Sequence, residues 1–161
     1  MNKSFLAIYI SFCLIIACVV LLPNKSLAFS NANISDDARY IFHVIDIPQE
    51  VKNLEVEIIQ NGNEYIVKCN KDIAKEIKPK FTQVLGESVT FECSKQNALK
   101  LISEMKCNLI ELENINGLYT YYGYSNNIDN YTYVNNQKVN VELAYSNGRV
   151  TIGSPIILGD Y

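Results

Sequence analysis

The sequence predicts an α+β fold, a largely antiparallel sheet of hairpins with about three helices packed on one face. Three observations predict it. Asn-Gly pairs fall at Asn61-Gly62, Asn116-Gly117 and Asn147-Gly148. Each sits between strand-like runs, and Asn-Gly accepts the positive φ that a two-residue hairpin turn demands. Apolar residues recur at helical spacing in three other stretches. Helices and hairpins do not alternate regularly, which argues against a parallel sheet. Each half of the chain also offers a helix followed by an Asn-Gly hairpin, which leaves open two similar subdomains.

The N-terminus reads as an export signal. Met1-Asn2-Lys3 precedes an apolar run from Phe5 to Leu22, Pro23 ends it, and Ser26-Leu27-Ala28 puts small residues where a signal peptidase reads them. Cleavage is expected after Ala28, leaving residues 29–161 as a single α+β domain. Two alternatives stay open. At ~1.5 Å per residue the run makes a helix of about 27 Å, enough for an uncleaved N-terminal anchor. Ile15-Ile16-Ala17-Cys18 also has the form of a lipobox, although Val19-Val20-Leu21-Leu22 continues the apolar run past the cysteine. On each reading the domain lies outside the cytoplasm, secreted or on the outer side of the cell envelope.

The first helix is expected after Ser35, an N-cap followed by Asp36-Asp37, with Ala38, Ile41, Phe42 and Ile45 as its apolar stripe and Pro48 as its stop. A second opens near Asn70 with Ile73, Ile77, Phe81, Val84 and Leu85 inward, kinked at Pro79 and stopped at Gly86. A third takes Ser94 as N-cap and buries Ala98, Leu101, Ile102 and Met105. The strands are LEVEII and EYIVKC around the first Asn-Gly pair, SVTFEC, then LIELEN and LYTYYGY around the second. YTYV and the pair VNVELAY and RVTIG complete the set. In VNVELAY, Val139, Val141, Leu143 and Tyr145 alternate with Asn140, Glu142 and Ala144.

Charge and composition exclude several functions. Without Lys3 and Lys25, 12 basic residues face 17 acidic ones. Nucleic acid and anionic lipid need clustered Lys and Arg, so neither is an expected partner, and a membrane is met only through an uncleaved N-terminal segment. One histidine excludes a histidine-rich metal site, the cysteine spacing fits no zinc pattern, and no cofactor is indicated. Gly-rich phosphate loops, Gly-x-Ser-x-Gly and His-Glu-x-x-His are absent from the sequence.

Two weak catalytic candidates remain, Cys93 and His43. Cys93 precedes the N-cap of the third helix, where the helix dipole can favour thiolate. His43, oriented by Asp46 one helical turn away, could serve it as base in a thiol-dependent hydrolase or transferase. The bland readings are a small core residue for Cys93, as for Cys69, and a solvated helix face for His43. If the expected helix forms between them, a Cys93–Cys107 disulfide is ruled against, since the helix separates its ends by roughly 20 Å where a bridge needs ~7 Å. Cys69 is left to pair with either. The carboxylate pairs Glu55/Glu57 and Glu111/Glu113 alternate with apolar residues and read as solvated strand faces.

The densest feature is aromatic, with six tyrosines within residues 114–133. Tyr119 and Tyr121 share one strand face, Tyr122 and Tyr124 the other, and Tyr131 and Tyr133 a further one. Tyrosine is a good strand residue and needs no function for that. Helices cover only one sheet face, however, so some rings must meet water, where they suit sugars or protein partners. Tyr119, Tyr121, Tyr131 and Tyr133 are the candidate partner-binding residues.

Three C-terminal stretches, YYGYS at 121–125, VNVELAY at 139–145 and VTIGSPIILGDY at 150–161, carry a resemblance. They look like the end of the YwmB-like family, small exported proteins of endospore-forming Gram-positive bacteria. The likeness covers about a quarter of the chain, in loose strand motifs without catalytic character. It implies a two-subdomain fold likened to TATA-box-binding proteins, and no biochemical activity. A likeness to a DNA-binding fold carries no function by itself. The expectation is therefore an exported, non-catalytic, envelope-associated binding or accessory protein linked to sporulation by the resemblance. Its expected partner is cell-wall polysaccharide or an envelope protein, and the alternative is a thiol-dependent enzyme using Cys93.

Overall fold

The computed structural model describes Phe29 and residues 34–158, so the signal or anchor segment 1–28 and its lipobox lie outside the described residues. The elements run β1 (Arg39–Val44), α1 (Gln49–Lys52), β2 (Glu57–Asn61), β3 (Glu64–Asn70), α2 (Lys71–Ile77), a 3-10 turn (Lys78–Lys80) and β4 (Val84–Glu92). They continue with α3 (Lys95–Glu104), β5 (Asn108–Ile115), β6 (Leu118–Tyr124), β7 (Thr132–Val134), β8 (Gln137–Val139), β9 (Val141–Ser146) and β10 (Arg149–Ser154). Eight strands form one sheet in the order β2-β3-β1-β4-β10-β9-β6-β5, and β7-β8 is a separate two-stranded ribbon. Every pairing is antiparallel. The α+β class holds, with helices that are few and short.

The hairpin corners follow from local backbone chemistry. Asn116 and Gly117 stand at φ 52° and 87°, Asn147 and Gly148 at 49° and 79°, and Gly62 at 61°. A fourth corner, Asn135-Asn136 at 48° and 63°, does the same without glycine, because asparagine tolerates the left-handed region better than most residues. The helix starts also follow from sequence. Asn70 accepts the Ile73 N–H at 2.9 Å and Ser94 accepts the Asn97 N–H at 3.2 Å.

Two helical expectations are corrected. The stretch after Ser35 gives only a turn, and Arg39–Val44 is a strand between β3 and β4. Tyr40, Phe42 and Val44 are buried at alternate positions, so a period of two wins over the helical stripe that the same few residues also fit. Aromatic and β-branched side chains favour that outcome. The second helix ends at Ile77 and a 3-10 turn containing Pro79. Val84, Leu85 and Gly86 lie in β4, where Gly86 pairs with His43 beside a register shift and does not stop a helix. The third helix stands as expected, with Ala98 and Leu101 buried.

The core lies on one face of the sheet. Phe42, Val67, Val89, Leu143, Val150 and Ile152 share a cluster with Ala74 and Ile77 of α2 and Ala98 and Leu101 of α3. Phe42 meets Phe81 with ring centroids 5.7 Å apart. Glu87 enters this face and is held by Lys78, itself largely buried. Both four-strand halves belong to one continuous sheet, but they are wired differently. β1 is inserted between β3 and β4, whereas β5, β6, β9 and β10 form a meander.

The other sheet face carries a strap, residues 155–158. The Ile157 N–H donates to Glu142 Oε2 at 2.8 Å, and the Leu158 carbonyl lies 2.6 Å from His43 Nε2. The strap explains why β9 departs from its expected one-sided pattern, since Glu142 is as buried as Leu143. It can lie this close because Gly153 places no side chain under the strap backbone, and Gly86 leaves room for the Leu158 side chain.

Candidate functional site

The β7-β8 ribbon is built on a buried polar knot. Asn140, fully buried between β8 and β9, accepts the Ser125 N–H at 2.7 Å and donates to the Ser125 and Ile128 carbonyls, each at 2.7 Å. Ser125 Oγ in turn donates to the Met105 carbonyl at the end of α3. The knot fixes where the chain leaves β6, loops through residues 125–130 and returns as the ribbon. Above it, strand alternation sorts the side chains. Tyr131 and Tyr133 point to water at 45% and 61% exposure, while Val139 is buried.

The two exposed rings meet edge to face, 5.7 Å apart at 86°. Lys138, the cross-strand partner of Tyr133, places its Nζ 4.3 Å from the Tyr131 ring centre. Such ring and cation contacts contribute roughly 0.5–1.5 kcal/mol each and hold the rings in defined orientations. At the ribbon tip Asn135 Nδ2 donates to Glu111 Oε2 at 2.8 Å, which ties the ribbon to β5.

The four candidate tyrosines therefore divide. Tyr131 and Tyr133 come together at the surface. Tyr121 is only 6% exposed and belongs to the core, so the partner-binding expectation is corrected for it. Its position opposite Leu143 puts it on the helix-covered face. Tyr119 shares that face and is half-buried, with Lys95 Nζ from α3 3.1 Å from its ring centre. On the opposite face Tyr122 is half-buried, and its phenol is pushed above its ordinary pKa by burial first and then by Glu142, Glu113 and Glu111. Lys138, Ser125 and Asn140 were not singled out by the sequence. The Tyr133–Lys138 pair was readable only once Asn135-Asn136 is recognised as a corner.

Cys93 and His43 do not form a catalytic pair. His43 lies opposite Gly86 near the start of β4, whereas Cys93 follows its end. At about 3.3 Å per residue, the seven intervening steps separate them by roughly 23 Å. Asp46 does not orient His43 either, since its carboxylate accepts from Thr82 Oγ1. The thiol is not activated, because burial raises its pKa more than the Ala98 backbone hydrogen bond lowers it. Burial likewise pushes Cys107 to about 11 and Cys69 to about 12, and all three thiols are free.

Two outcomes follow for these thiols. Alkylation of native protein at pH 8 is expected to leave Cys69 and Cys107 unmodified until unfolding, and to label Cys93 more slowly than a free thiol. Rapid native labelling of Cys93 contradicts the assignment. Stability is also expected to fall as pH rises from 9 towards 12. Over that range unfolded thiols ionise at their ordinary 9 while the folded ones keep their protons.

A concavity of about 510 Å³ lies elsewhere, between Glu92, Leu118, Ala144, Ser146, Arg149 and Thr151 near the Asn147-Gly148 corner. Among the described residues no group of three or more His, Cys, Asp or Glu side chains could hold a metal ion, and no helix is long and apolar enough to cross a membrane. Comparisons with protein-family models, curated proteins and solved structures found no match.

Proposed function

We propose that the chain is an exported, non-catalytic binding or accessory protein of the cell envelope, and that the β7-β8 ribbon is the surface with which it grips its partner. The observation that carries this reading is the exposed Tyr131–Tyr133 pair, braced by Lys138 on a ribbon anchored at Asn140. Exposed aromatics held rigid are the groups that contribute most at binding surfaces, because little side-chain entropy is lost on contact. Export rests on the sequence of residues 1–28, and the sporulation link on the YwmB-like resemblance. On that resemblance the two four-strand halves would be related units, which equal strand number supports and strand order does not. Cell-wall polysaccharide is the first partner to test and an envelope protein the second.

Retention of the purified protein on insoluble peptidoglycan is expected to fall tenfold or more in the double variant Tyr131→Ala/Tyr133→Ala. Its stability should fall by no more than about 1–3 kcal/mol, the worth of the lost ring and cation contacts, with the fold intact. Undiminished retention of the double variant would overturn the assignment of the ribbon.

A further inference from the structure

The eight-stranded sheet has two edges, and they are protected unequally. β2 is five residues long, and its Glu57 is tied to Lys68 of β3 at 3.0 Å. β5 is eight residues long, contains neither lysine nor proline, and exposes Leu109, Leu112 and Ile115 at 54%, 53% and 63%. Natural sheets blunt edges with short strands, lysine, proline or bulges. β5 has one bulge, between Leu109 and Glu111, and runs regularly beyond it to Ile115.

Register sorts its side chains by face. Leu109 and Leu112 lie opposite Gly123 and Tyr121, hence on the helix-covered side. Glu111 and Glu113 lie opposite Tyr122 and Thr120, on the other side. Among the described residues no lysine or arginine forms an ion pair with either glutamate. Glu111 receives only the neutral amide of Asn135. The edge thus offers unpaired backbone, Leu109 and Leu112 on one side, and on the other Glu111 and Glu113 followed by Ile115 opposite Leu118.

We infer that β5 is a docking edge for an extended segment of a partner protein that alternates apolar and basic residues. The segment adds as a ninth strand. Its backbone satisfies the outer groups of β5, its apolar side chains cover Leu109 and Leu112, and its Lys or Arg residues stand beside Glu111 and Glu113. Charge decides against a second copy of this chain. An antiparallel β5–β5 pairing centred on Glu111, Leu112 or Glu113 sets glutamate against glutamate, which is destabilising. The inference is independent of the aromatic ribbon, since it uses neither Tyr131 nor Tyr133.

The test uses two labelled eight-residue peptides, one alternating lysine with valine and one alternating glutamate with valine, followed by fluorescence anisotropy against the purified protein. The basic peptide is expected to bind, to slow amide exchange within 108–115, and to lose about tenfold in affinity in Glu113→Lys and in Leu112→Ser. The acidic peptide is expected not to bind the parent. Tyr131→Ala/Tyr133→Ala should leave these results unchanged, so this docking edge and the ribbon can fail separately. No binding of the basic peptide, equal binding of both peptides, or protection away from 108–115 would overturn the inference. So would a β5-mediated dimer of the free chain in sedimentation.

Discussion

Replacing Asn140 by alanine is expected to cost about 3–5 kcal/mol of stability and to abolish retention on peptidoglycan along with it. The side chain accepts one hydrogen bond and donates two, all at 2.7 Å and all buried. Alanine leaves the Ser125 N–H and the Ser125 and Ile128 carbonyls without that partner in a place water does not reach freely. Each such loss costs roughly 1–3 kcal/mol before the cavity is counted. A typical domain has only about 5–15 kcal/mol to lose. Asn130→Ala, an exposed neighbour in the same loop, should shift stability by no more than about 0.5 kcal/mol. Denaturant unfolding reads both, and a loss below about 1 kcal/mol for Asn140→Ala would mean that the knot does not anchor the ribbon.

Gly153→Val is the second large effect. A Cβ at this position would stand 2.5 Å from the Ile157 nitrogen and 2.6 Å from the Ile156 carbonyl carbon and Ile157 Cα. These are backbone atoms, so no rotamer change relieves the clash. Either the strap lifts or β10 bends. If the strap lifts, the Ile157 N–H bond to Glu142 and the Leu158 contact with His43 go with it. Overpacking of this kind costs about 3 kcal/mol, or roughly 6–12 °C in Tm for a domain of this size. Faster proteolysis within residues 155–158 should accompany the loss. An unchanged Tm would show that the strap does not rest on Gly153.

What the sequence made legible was local. The Asn116-Gly117 and Asn147-Gly148 corners and the caps at Asn70 and Ser94 depend on residues within a few positions of one another and stand where expected. At the first pair, by contrast, Asn61 closes β2 and the turn is Gly62-Asn63. β1 was misread because six residues cannot separate a period of two from one of 3.6, and its neighbours β3 and β4 decide the matter from far along the chain. The Asn135-Asn136 corner was missed for want of a glycine. The strap was invisible because it depends on contacts between residues distant in sequence, such as Leu158 with His43. Tyrosine parity was readable within each strand, but which face the helices cover was not. That is why Tyr121 and Tyr133 were grouped together although one ring is buried and the other is in water.

The most direct test of the central claim, that the ribbon grips an envelope partner, is to locate contact on the molecule. Soluble peptidoglycan fragments are titrated into isotope-labelled protein and amide shifts are followed residue by residue. Perturbations centred on Tyr131, Tyr133 and Lys138, saturating together, are the result this account requires. Shifts confined to the concavity between Glu92 and Arg149, with the ribbon silent, would contradict it.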